Sequence, residues 1–429
     1  MTGPNPPAGG LPAPLDRRLA ARALAVLTLV NLFNYLDRFV VSALVESLKA
    51  SDLRLTDAQA GSLMTGFVVV YMATSPLFGT LGDRKSRPRL IALGVAIWSV
   101  ATALAGRATS YLGLFVSRAA VGIGEAAYGT ISPSLLADCY PKSQRGRVFA
   151  VFFSAIPIGS ALGYVLGGWA DQRFGWRAAF YVAGLPGLAL ALLCLFLPDP
   201  PRGAQDGEES AAHAGGPAPR VLAAYRDLLR NAPFALTVLG YAAYTFAIGG
   251  MAFWMPSFLE RVRGLPQSEA TVTFGGIVVV TGFVGTFAGG WLGDFFLRRT
   301  PEAYLWVSGV ATLLAVPFAV VALVAPAKSV FLPAVIVAEL LMFVSTGPVN
   351  SAIVNVVAPT ERATAVALSI LVMHLLGDVP SPPLIGALSD ATSLGTAVLL
   401  VPVAILVAGL IWTGAALRGE RHARAATRA

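Results

Sequence analysis

Two acid–base pairs stand in apolar surroundings, where charge is costly. Asp37 and Arg38 are adjacent in NLFNYLDRFVV (31–41), and Arg118 precedes Glu125 by seven residues in another apolar run. Seven residues make two helical turns, so Arg118 and Glu125 share a face about 10.5 Å apart along the axis. A charge at mid-membrane costs at least about 2.5–3.5 kcal/mol on insertion scales. If both runs face a common cavity, the four charges form one neutral cluster that offsets this cost. The chemistry open to such a cluster is proton exchange. Desolvation favours the neutral acid and a nearby guanidinium favours the carboxylate, so breaking and remaking the pair loads and unloads a proton. Glu125 is the first candidate carrier and Asp37 the second, with Arg38 as switching partner and Arg118 completing the charge balance. A static salt bridge between the runs is the alternative.

A second set of polar groups lies in other apolar runs. STGPVN (345–350) offers Ser345, Thr346 and Asn350, and Pro348 frees backbone carbonyls there. His374 and Asp378 lie one turn apart before PSPP (380–383), which must distort a helix. With Arg38 and Tyr128 these are the candidate cavity residues. For Ser345 and Thr346, local bonding to helix carbonyls is the competing reading. Glu339 lies nearer the outer end of its run. An intramembrane acyl transferase or hydrolase using His374 with Asp378 is the rival from a different class. No nucleophile elbow or metal constellation accompanies that pair, however. The histidines number three, and His213 and His422 lie outside apolar runs. The two cysteines, Cys139 and Cys194, have no metal or disulfide spacing. No cofactor or metal is implied.

The elements that must position these residues are long apolar helices. The chain has 429 residues, 56% hydrophobic and 13% charged, against about 25% charged in soluble domains. Twelve segments are long enough to cross about 30 Å of hydrocarbon: 20–48, 58–81, 89–109, 111–137, 147–170, 177–197, 232–259, 270–297, 303–325, 330–357, 363–388 and 394–417. The net charge of +8 is topological: 21 Lys and Arg flank one set of segment ends and 8 the other. The positive-inside rule places both termini in the cytoplasm, and no nucleic-acid partner is called for. The Pro/Gly-rich start, MTGPNPPAGGLPAPLD, has no signal-peptide pattern.

The domain reading is a disordered tail (1–18), a six-helix bundle (19–197), a cytoplasmic linker (198–231), a second six-helix bundle (232–417) and a basic tail (418–429). The linker contains one low-complexity stretch, DPPRGAQDGEESAAHAGGPAPR, and a short amphipathic helix, VLAAYRDLLR. The halves echo each other. Gly129 and Gly347 lie 218 residues apart, as do Pro141 and Pro359, and Asp171 and Asp390 lie 219 apart. GTLGD (79–83) and GWLGD (290–294) each end an apolar run before basic residues. These features predict an all-α membrane protein of two pseudo-symmetric bundles, with a central site between them near mid-depth. No nucleotide-binding P-loop is present.

GTLGDRKSRPR (79–89) supplies Gly79 for close helix approach and Asp83, Arg84 and Arg87 for pairing across helix ends; Gly290 and Asp294 form the weaker copy. This pattern resembles the signature of the major facilitator superfamily, and the resemblance covers nearly the whole chain. NYLDRFVV (34–41), GEAAYGTISPSLLADCYP (124–141), FFSAIPIGSALGYVLGG (152–168) and GMAFWMPSFL (250–259) resemble the Spinster branch. That resemblance implies a multi-pass, monomeric secondary transporter in a bacterial-type inner membrane, surrounded by membrane lipids and working by alternating access. It also implies proton-linked movement of lysophospholipids or sphingosine-type lipids, with a drug or organic-anion exporter as the alternative cargo class.

Overall fold

The computed structural model describes residues 16–205, 221–357 and 362–426, and among these it contains helices, turns and loops and no strand. The start of the N-terminal tail (1–15), the low-complexity linker stretch (206–220), the segment 358–361 with Pro359 of the repeat, and 427–429 lie outside the described residues. The first half comprises α1 (Arg17–Ala50), α2 (Asp57–Arg84), α3 (Arg87–Ala105), α4 (Tyr111–Cys139), α5 (Lys142–Phe174) and α6 (Trp176–Cys194). The linker helix α7 (Val221–Arg230) follows. The second half comprises α8 (Ala232–Arg261), α9 (Gln267–Leu297), α10 (Ala303–Val324), α11 (Lys328–Val344), α12 (Thr346–Asn355), α13 (Arg362–Met373), α14 (Ser381–Ala391), α15 (Leu394–Ala397) and α16 (Leu400–Ala426).

Local chemistry sets the starts and stops. Thr56 and Gln59 form a reciprocal capping box at α2, and the side chains of Ser110 and Asn231 cap α4 and α8. Gly175, at φ 83°, ends α5 in a conformation that side-chain-bearing residues avoid. Two spans of the second half are broken. Span ten divides into α11 and α12 at Ser345, just before Gly347 and Pro348. Span eleven divides at a π-helical turn, His374–Asp378, where the Val379 amide donates to the His374 carbonyl at 3.1 Å. Pro380 has no amide to continue the α pattern, so the helix widens before it.

Among the described residues, eleven spans are long and apolar enough to cross a membrane, by length and composition. The twelfth segment, α4, is 29 residues long and carries Arg118, Glu125 and Asp138. Helix α7 does not stand free. Its Leu228 and Tyr225 pack with Phe234, Val238, Ile353 and Leu368 of the second half.

Successive spans alternate in direction, so both ends of the described chain fall at one end of the bundle, here the terminal end; the opposite end is the distal end. The halves meet chiefly through two symmetric helix pairs, α2 with α14 and α5 with α9, and also through α1 with α8. Among the described residues, the hydrogen bonds and ion pairs joining the halves lie between the distal end and mid-depth. Arg261 at the end of α8 donates to Glu46 of α1 at 2.6 Å and to Asp57 of α2 at 2.6 and 2.9 Å. Asp57 also accepts from Lys49 and Ser389, both at 2.5 Å.

The repeat explains a second feature of this closure. Asp390 of the second half accepts the first two amides of α2, Asp57 and Ala58, both at 2.8 Å. Asp171 of the first half accepts from Gln267, the first residue of α9, at 2.6 Å, and from Ser47. Each aspartate thus holds the start of a helix in the opposite half, where a carboxylate is favoured. Polar contacts thus join the halves distally, and among the described residues none joins them at the terminal end.

Candidate functional site

Close backbone approach places Glu125. Helix α4 passes between α2 and α3, and a Cβ at Gly122 would meet the Phe67 carbonyl while one at Gly124 would meet the Gly94 carbonyl. The glycines on either side of Ile123 therefore bring Glu125 deep into the first half, where it is 1% exposed.

Within the cluster of four charges the hydrogen bonds divide into two pairs, Asp37 with Arg118 and Arg38 with Glu125. Arg118 donates to the Asp37 carboxylate at 2.7 Å and to the Asp37 carbonyl at 3.4 Å, and Thr102 of α3 donates to the other Asp37 oxygen. Asp37 is fully buried and Arg118 is 1% exposed. This pair ties α1, α3 and α4 together, as the static-bridge alternative expects. Arg38 donates to Glu125 Oε2 at 2.7 Å and keeps 18% of its side chain accessible. Its guanidinium lies 4.8, 4.9 and 5.8 Å from the ring centroids of Tyr35, Phe67 and Tyr71. Glu125 Oε1 and Arg38 Nε are buried without a hydrogen-bond partner.

In the second half, His374 Nδ1 lies 2.9 Å from both Asp378 carboxylate oxygens, and both side chains are 18% accessible. The π turn sets this spacing and presses Asp378 against Gly249 of α8. Asn350 is exposed and contacts the Tyr241 hydroxyl at 3.5 Å, and Thr346 lies 3.1 Å from the Tyr244 hydroxyl. Two expected cavity residues are corrected by burial. Tyr128 is 2% exposed and donates to the Leu27 carbonyl at 2.8 Å, packed edge-on to Trp98. Ser345 is fully buried against Thr312, at 2.9 Å, and the Ser308 carbonyl. Both side chains join helices within one half.

The terminal-end motif also divides. A Cβ at Gly79 would lie 3.5 Å from the Thr130 methyl, an ordinary contact, while Asp83 and Arg84 are exposed and make no ion pair among the described residues. Gly290 is half-buried, and Asp294 accepts from Tyr304 at 2.9 Å. Arg87 is 1% exposed and acts within the first half: it donates to Asp138 of α4 at 2.5 Å and to Asp199 at 2.8 Å, pinning the start of the linker. Outside the spans, Arg177 donates to Asp52 at 3.0 Å, and that hydrogen bond holds the Asp52 carboxyl below its usual range.

Sequence reasoning missed Thr102, the aromatic faces around Arg38, and the distal network of Glu46, Lys49, Asp57 and Arg261. The near-constant spacing of Asp171 and Asp390 was the one available signal for the last of these.

Twelve spans in two pseudo-symmetric halves, closed at one end and carrying paired charges at mid-depth, define a secondary transporter that works by alternating access. The model of the Major Facilitator Superfamily matches residues 27–379. Protein spinster homolog 3 of Danio rerio is 36% identical over 401 residues, covering 88% of this chain and 78% of that protein. Protein spinster homolog 1 of Mus musculus is 35% identical, covering 90% and 78%. A crystal structure of a bacterial homologue of the human lysosomal transporter Spinster, inward-facing and unoccupied, superimposes with a TM-score of 0.82 at 24% identity, covering 94% and 98%. The chain belongs to the Spinster family of the major facilitator superfamily. It is a multi-pass integral membrane transporter of a small molecule, and that membership replaces the intramembrane-enzyme reading.

Proposed function

We propose that the transporter moves a single-chain amphiphilic lipid, a lysophospholipid or sphingosine-type molecule, and that protons drive it through Glu125. One observation carries the proton reading: the buried Glu125 carboxyl has one oxygen on Arg38 and the other without a partner. Unpairing from Arg38 leaves a desolvated carboxylate that takes up a proton, and re-pairing releases it. Arg38, partly accessible, is placed to answer the cargo. An anionic head group that draws the guanidinium away from Glu125 links substrate arrival to proton uptake. The enclosed Asp37–Arg118 pair fits a fixed brace, which leaves Glu125 as the carrier.

Charge asymmetry makes the terminal end cytoplasmic, so this end opens inward. The halves, with boundaries near 19–197 and 232–417, rock as units about the mid-depth site, breaking the distal contacts as the terminal end closes, and a monomer suffices for this cycle. His374, Asp378, Thr346 and Asn350 form the second half's polar contribution. The Spinster resemblance selects lipid cargo, and the aromatic faces around Arg38 supply apolar surface beside the charge.

Binding by a series of single-chain phospholipids tests the cargo class. Affinity is expected to rise with chain length by up to about 0.8 kcal/mol per fully buried CH₂, and Arg38→Ala is expected to weaken phosphorylated cargo more than uncharged cargo. Saturable transport of short polar anions, with no binding of single-chain lipids, would assign the protein to the organic-anion exporters instead.

A further inference from the structure

Glu339 is the buried acid that the Arg38–Glu125 account leaves unused. It lies 11 residues from the start of α11, about 16 Å along the axis at 1.5 Å per residue, and is 4% exposed. Among the described residues its hydrogen bonding is confined to Thr281 of α9, whose hydroxyl lies 3.3 Å from Oε2. That hydroxyl has one proton, and it is already donated to the Ile277 carbonyl at 2.7 Å. The shorter contact claims that proton, so a protonated Glu339 carboxyl makes the stronger hydrogen bond here by donating to the Thr281 oxygen.

The surrounding elements supply no compensating charge. Helix α10 contains no Asp, Glu, Lys, Arg or His; α9 has only Glu269 and Asp294, near its two ends; and the charged residues of α8 are Glu260 and Arg261, at its distal end. The titratable groups that face Glu339 are the phenols of Tyr164 from α5 and Tyr244 from α8. Both donate their protons elsewhere, Tyr164 to the Ala252 carbonyl at 2.6 Å and Tyr244 to the Met342 carbonyl at 2.8 Å. An ionised carboxylate here would be desolvated and unpaired, which costs several kcal/mol. The Tyr164 bond also joins the two halves beside this acid, so parting them distally uncovers it.

We propose that Glu339 is a second proton-binding site: it holds a proton while the distal end is closed and exchanges it when that end opens. The proposal goes beyond the Glu125 reading and does not rest on it. Its linkage has a definite sign. The distal-closed state holds the extra proton, so raising the pH favours the distal-open state, by up to about tenfold per pH unit for one linked proton.

Two readouts test this in full-length protein in ester-free detergent. Infrared absorption of protonated carboxyls is expected to lose a band in Glu339→Gln. In Thr281→Val, which leaves the acid in place without its partner, that band is expected to move to higher frequency; this variant reads the same group should the glutamine form not fold. The Thr271 side chain of α9 is 1% exposed and lies against Gly168 of α5 across the halves, so alkylation of Thr271→Cys, in a background with Cys139 and Cys194 replaced by serine, reports distal opening. The thiolate is the reactive form, so each rate is divided by that of the same cysteine in unfolded protein at the same pH; this ratio is expected to rise with pH in the parent and in Glu125→Gln, and to lose that rise in Glu339→Gln. An identical carboxyl band in all variants, or a labelling rise that survives Glu339→Gln, would overturn the proposal. A rise lost in Glu125→Gln but kept in Glu339→Gln would assign the linked proton to Glu125 instead.

Discussion

Truncating Arg261 to alanine is expected to shift the transporter from distal-closed toward distal-open by more than any other single change at the interface. Its guanidinium bridges Glu46 and Asp57 of the first half from the end of α8. Removing one partner of a hydrogen-bonded, desolvated charge set costs about 2–5 kcal/mol. The lower end applies here, because 26% of the Arg261 side chain is accessible and Lys49 remains on Asp57. Two kcal/mol is still roughly a 30-fold change in the ratio of the two states, since about 1.4 kcal/mol is tenfold. Faster alkylation of the Thr271→Cys probe is the expected reading. Arg261→Lys should fall between, because lysine keeps the charge but cannot reach both carboxylates in a fork. Equal labelling rates in all three proteins would show that this network does not hold the distal end.

The second large effect falls on stability. Arg118→Ala leaves Asp37 fully buried with Thr102 as its remaining side-chain donor, and breaking a buried ion pair by removing one partner costs about 3–5 kcal/mol. Arg38→Ala leaves Glu125 equally buried, but Glu125 can take a proton from the space that Arg38 borders, so its loss is smaller. Heating in detergent and measuring the folded fraction should rank the variants in that order. The double variant Asp37→Asn/Arg118→Gln, which removes both charges, is expected to recover much of the loss. An Arg118→Ala protein that melts with the parent would remove the brace role from this pair.

Much of the architecture was legible because the bilayer demands it. Twelve apolar runs, a polar break after the sixth and an excess of arginine on alternate ends follow from the physics of spanning hydrocarbon. The PSPP run announced the distortion that the structure resolves as a π turn at 374–378. The charged residues were legible in depth but not in direction. Asp37 and Arg38 are neighbours in sequence, yet successive helical residues point about 100° apart. One therefore turns to Arg118 and Thr102 while the other turns to Glu125 and the gap between halves. Tyr128 and Ser345 misled for a related reason: a polar group at mid-depth satisfies itself on a carbonyl of the next helix as readily as on a ligand. The distal network was hidden because its members lie up to 333 residues apart and, read singly, look like ordinary charged helix ends.

Glu125 is the proposed proton carrier, and the most direct measurement of that role is lipid transport in proteoliposomes with and without an imposed pH gradient, comparing the parent with Glu125→Gln. The amide keeps the shape and the hydrogen bond to Arg38 but cannot take up and release a proton. The expected result is that the parent is accelerated by the gradient, whereas Glu125→Gln binds the same lipid, exchanges it at equilibrium and shows no response to the gradient. Gradient-driven transport by Glu125→Gln at the parental rate would contradict the account.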